Sequence, residues 1–74
     1  MRIWEIAKKK GFRVSDITGN NRKSELVAMR VYLARLLNSE GLNEKQIGER
    51  LKKDRTTIIY YLCKYKPTEF YNKL

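Results

Sequence analysis

The sequence predicts an all-α fold, a compact bundle of four to five helices, and three patterns carry that expectation. Apolar residues recur at helical spacing at Ile3, Ile6 and Ala7, and again at Leu26, Met29, Leu33, Leu36 and Leu37. Asn43 and Gln46, three residues apart, are the two halves of a capping box that starts a helix. Gly11, Gly41 and Pro67 follow periodic stretches, at points where a helix has to stop. With 74 residues, the chain is expected to form one domain, 1–74, with a modest core.

Each element can be justified in order. The first helix is expected over Arg2 to Lys10. Its last turn, Lys8-Lys9-Lys10, suits the negative end of the helix dipole and reads as a solvated cap rather than a DNA contact. Ser15-Asp16-Ile17-Thr18 reads as one capped turn ending at Gly19. Gly19 to Lys23 is then a loop carrying two adjacent cations, Arg22 and Lys23. The long helix runs from about Ser24 to Asn38, with Arg30 at the edge of its leucine stripe and Ala28 and Arg35 pointing away.

The next helix starts at Asn43, where Leu42 and Ile47 pair as a hydrophobic staple, and stops near Lys52. Ile47 and Leu51 face inward, and Gly48 between them allows another helix to approach. A further helix begins at or just after Asp54, whose carboxylate is expected to cap it. Ile58, Tyr61, Leu62 and Tyr65 lie on one side, Thr56, Tyr60, Cys63 and Lys64 on the other, and Ile59 between. Thr68 to Leu74 reads as a short final turn. Trp4, Phe12, Tyr32 and Phe70 are most simply core or cover.

Composition narrows the function. The chain carries 17 Lys and Arg against 8 Asp and Glu, a net charge of +9, which favours a polyanionic partner. Lys45 to Lys66 alone holds seven basic and two acidic residues. There is no histidine, Cys63 has no obvious base, and the carboxylates are scattered, so neither an enzyme nor a metal site is expected, and no cofactor. A lone cysteine fits the reducing cytoplasm. No apolar run reaches membrane-spanning length, and Met1 to Lys10 lacks the apolar core and cleavage site of a signal peptide.

Eight residues of helix, a turn of about three and a second helix have the spacing of a helix-turn-helix. Such a pair can hold its second helix outward, so that the N-terminal half enters a DNA major groove with Lys52, Lys53, Arg55 and Lys64 around it. Paired helices also serve as protein-interaction or structural elements, but a structural pair has no need of clustered basic residues.

The residues of this stretch resemble a known family. Lys53-Asp54-Arg55-Thr56-Thr57-Ile58 is similar to the Arg-Asp-His-Thr-Thr-Val signature of the C-terminal DNA-binding domain, domain IV, of the bacterial replication initiator DnaA. Val14-Ser15-Asp16-Ile17, then Arg22 to Arg30, resembles that family's basic loop and long helix, and Gln46-Ile47-Gly48 its Glu-Ile-Gly. The resemblance covers nearly the whole chain. Arg55 and Lys53 stand where the family has histidine and arginine, and Tyr60 where another histidine is common. No Walker motif is present, so the resemblance implies a stand-alone relative or an excised domain.

That resemblance implies that Arg22 enters the minor groove, that Arg30 contacts the DNA backbone, and that Asp54, Thr56 and Thr57 open the recognition helix. Lys64 matches a basic residue near its end. By residue chemistry, Arg55 can pair with guanine or a phosphate, Thr56 suits a thymine methyl, and Tyr60 can reach a phosphate. Thr57 caps or touches phosphate. The expected DNA-binding set is therefore Arg22, Lys23, Arg30, Lys53, Asp54, Arg55, Thr56, Thr57, Tyr60 and Lys64. Double-stranded DNA is the expected partner, with replication initiation or its regulation as the role and other replication proteins as further contacts. A phage- or plasmid-type transcriptional regulator is the alternative, and a protein-interaction module with a basic face the third reading.

Overall fold

The computed structural model describes residues 3–74. Among these residues the chain is all-helical, with six helices in order: α1 (Ile3–Lys9), α2 (Val14–Thr18), α3 (Ser24–Ser39), α4 (Glu44–Leu51), α5 (Arg55–Cys63) and α6 (Glu69–Asn72). The count exceeds the expected four to five because both short turns, at Val14 and Glu69, close as helices. Arg2, the expected first residue of α1, lies outside the described residues.

Local chemistry explains several boundaries. The Asp16 carboxylate accepts from the Arg13 N–H at 3.1 Å, so α2 starts one residue before Ser15. The expected capping box is present at α4: Asn43 Oδ1 accepts from the Gln46 N–H at 2.9 Å, and Gln46 Oε1 accepts from the Asn43 N–H at 2.9 Å. A cap of this kind contributes about 1 kcal/mol. Gly41 turns the chain after α3 at φ 97°, a left-handed value that glycine adopts without a Cβ penalty. Thr68 caps α6 after Pro67.

The centre of the fold is α3, which packs against each of the other five helices. This explains why its burial departs from a single leucine stripe. Leu26, Met29, Leu33 and Leu37 are buried as expected, but so are Ala28, Val31, Ala34 and Arg30. Ala28 does not point away. A helix surrounded on all sides needs small residues where neighbours come close, and alanine supplies them. Leu36 is only partly buried.

Ile3 and Ala7 from α1, Ile17 from α2, Ile47 and Leu51 from α4, and Ile58 and Tyr61 from α5 complete one core. Each fully buried aliphatic side chain among them stabilises the fold by about 1.5–3 kcal/mol before entropy is counted. Trp4, Phe12 and Tyr32 cover this core, while Phe70 is exposed. Lys10 is not a solvated cap. Its Nζ donates to the Leu74 carbonyl at 2.9 Å and lies 5.3 Å from the centre of the Tyr32 ring. It thereby ties α1 to the far end of the chain.

Candidate nucleic-acid interface

The eight residues of α4, the three of Lys52–Asp54 and the nine of α5 form consecutive helices packed on one another. The turn between them is tight for two reasons. Lys52 adopts left-handed backbone angles (φ 57°, ψ 45°), and the Lys53 N–H donates to the Gly48 carbonyl at 2.9 Å. Gly48 is needed here, although the nearest neighbour is the turn and not a helix. A Cβ at this position would sit 2.6 Å from the Lys53 carbonyl oxygen, and only then 3.7 Å from Ile58.

From this turn α5 projects with an exposed side. Arg55, Thr56, Tyr60, Cys63 and Lys64 are exposed, while Ile58 and Tyr61 are buried beneath. Arg55 lies on the outside at the first position of α5. Asp54 stands at the capping position of α5 but makes no side-chain cap. The expected carboxylate cap is therefore corrected: Asp54 is exposed, and its side chain is not held by the helix start. The first N–H groups of α5 remain without a side-chain acceptor, which leaves the positive end of the helix open.

A groove of about 660 Å³ separates the first turn of α5 from the loop between α2 and α3. Arg22, Arg30, Lys52 and Lys53 line it with Asn20, Asp54, Thr57 and Tyr60, so four cations face a single carboxylate. Arg55 instead flanks a second, shallower depression with Lys45, Glu49 and Lys52. Thr56, Lys64 and Lys23 are exposed and line neither depression. Burial raises the Tyr61 phenol above its usual value, and the guanidiniums of Arg30 and Arg22 oppose that rise from the same groove.

No protein-family model, curated protein or solved structure matches this chain.

Arg30 departs from its expected role as a contact to the DNA backbone. It is 2% exposed, its Nε donates to the Ile17 carbonyl at 2.8 Å, and its Nη2 donates to the carbonyls of Asp16 (2.8 Å) and Gly19 (3.0 Å). The physical reason is that the C-terminal carbonyls of α2 lack helical partners and carry partial negative charge, and a fork of guanidinium donors satisfies several at once. Lys53 is also turned inward: its Nζ donates to the Gly19 carbonyl, with the Thr18 carbonyl 3.4 Å away. Partial burial, and secondarily the Arg30 charge, hold the Lys53 pKa below the usual lysine value.

Sequence reasoning omitted Asn20 and Lys52 from the expected set. Lys52 carried a signal, as one of the cations the sequence sets around the start of the second helix of the pair. Asn20 carried only its place in a polar loop.

Proposed function

We propose that this protein binds double-stranded DNA in a sequence-specific manner. In this reading α5 enters the major groove through Arg55, Thr56 and Tyr60, and the loop carrying Arg22 and Lys23 meets the adjacent minor groove. The observation that supports it best is the exposed, cation-flanked N-terminal half of α5, with its uncapped N–H groups beside a groove that joins it to the loop arginine. A helix of this width fits a B-form major groove about 12 Å wide, and its open N-terminus favours phosphate. The resemblance to DnaA domain IV favours replication initiation or its regulation as the role.

Salt titration against duplex DNA tests the reading. The logarithm of the binding constant is expected to fall with the logarithm of salt at a slope near about −4, from roughly four to six phosphates neutralised. Thr56→Ala is expected to cost about 1–3 kcal/mol on a preferred site selected from random duplexes and little on other DNA, whereas Lys64→Ala weakens both alike. Absence of duplex binding at low salt refutes the proposal.

A further inference from the structure

Lys53 joins three parts of the molecule. Its N–H donates to Gly48 in α4, its carbonyl packs where a Cβ on Gly48 would stand, and it immediately precedes the start of α5. Its ammonium reaches across the groove to the Gly19 carbonyl at the end of α2, the same oxygen that accepts from Arg30 of α3. Gly19 is the residue from which the loop departs, and Arg22 lies three positions further on. The loop's other end is fixed where α3 begins at Ser24, with Asn21 Oδ1 accepting from the Lys23 N–H at 3.0 Å.

We infer that Lys53 is a positioning residue. Together with Arg30 it fastens the end of α2 to the turn of the helix pair, and so sets the separation between Arg22 and the first turn of α5. The physical basis is geometric. Two DNA-contacting parts on separate elements bind one duplex well only when their separation is held, and a loop free at Gly19 would have to be ordered on binding. The cation is suited to this place because the carbonyls at a helix end attract positive charge. Lys53 acts on DNA through Arg22 and not through a phosphate. The inference rests on the DNA-binding reading for its consequence, while the fastening itself can be measured without DNA.

Lys53→Met keeps the aliphatic stem and removes the ammonium. In the free protein, amide hydrogen exchange of Ile17 and Gly19, whose N–H groups donate to the Arg13 and Ser15 carbonyls at the fastened end of α2, is expected to speed up about tenfold, in line with loss of a charge-assisted hydrogen bond. Exchange at Leu33 and Ile47 in the core is expected to stay as in the wild type. Unchanged exchange at Ile17 and Gly19 overturns the fastening whatever the DNA result.

On a preferred duplex, Lys53→Met is expected to weaken binding with the salt slope unchanged. Arg22→Ala is expected to cost less in the Lys53→Met background than alone, and Lys53→Arg to restore both properties. A slope reduced by about one, with additive effects of the two substitutions, overturns the inference and makes Lys53 a phosphate contact. Wild-type protein that binds no duplex refutes the DNA reading, and with it the consequence for Arg22; the exchange result then decides the fastening alone.

Discussion

Arg22 and Arg30 lie eight residues apart and have the same side chain, yet the fold treats them in opposite ways. Arg22 is exposed in a loop and lines the groove beside α5. Arg30 is buried in the middle of α3, with its donors on three carbonyls of the neighbouring short helix and its end. Lys52 and Lys53 repeat the contrast at adjacent positions, one exposed and one reaching inward. Lys10 and Arg35 are likewise engaged within the chain, by the Leu74 carbonyl and the Tyr71 hydroxyl. Net charge therefore overstates what a polyanion meets. Among the described residues, Lys10, Arg30 and Lys53 satisfy backbone carbonyls, whereas Arg22, Lys23, Lys52, Arg55 and Lys64 are exposed.

Four substitutions test that contrast. The largest effect is expected from Arg30→Leu, which strands the Ile17 and Asp16 carbonyls and should lower stability by about 3 kcal/mol in urea unfolding followed by circular dichroism. A loss below about 1 kcal/mol would mean that Arg30 behaves as a surface arginine and the contrast fails.

Gly48→Ala comes next. Its Cβ would meet the Lys53 carbonyl at 2.6 Å. Overpacking of about 1–3 kcal/mol, partly offset by the better helix propensity of alanine, should leave a net loss of about 1–2 kcal/mol. A more stable Gly48→Ala protein would show that the turn has room to move, and that Lys53 is not held as described.

Arg22→Ala is expected to leave stability within about 0.5 kcal/mol of the wild type. Duplex affinity should fall by about 1 kcal/mol, with the salt slope reduced by about one. Equal losses of stability for Arg22→Ala and Arg30→Leu would erase the distinction between them. The smallest effect is a gain: Lys52→Gly relieves the left-handed backbone and should stabilise the fold by about 0.5 kcal/mol, read as a higher melting temperature.

The comparison also shows which features were legible in one dimension. The all-helical class, the long helix near Ser24, the capping box at Asn43 and the three-residue turn after Leu51 all follow from local spacing, and the structure contains each of them. The outer side of α5 was legible too, because Thr56, Tyr60, Cys63 and Lys64 fall together on a short helix with only one covered side. The burial of Ala28 and Arg30 was not. A helical wheel assumes one inner side, and α3 has neighbours all round. Asp54 misled for a related reason: a residue type suited to capping does not decide where its carboxylate points.

What the sequence determined by itself was thus the helical class, the long helix, the capped start of α4 and the excess of positive charge, since propensity, caps and turn residues act within a few positions. Only the tertiary structure decided which cations remain available. That choice depends on carbonyls brought in from another element: the end of α2 stands within reach of Arg30, 11 to 14 residues away, and of Lys53, 34 residues away. A backbone oxygen offers no side-chain signal of where it will be needed, so its partner becomes visible only once the chain has folded.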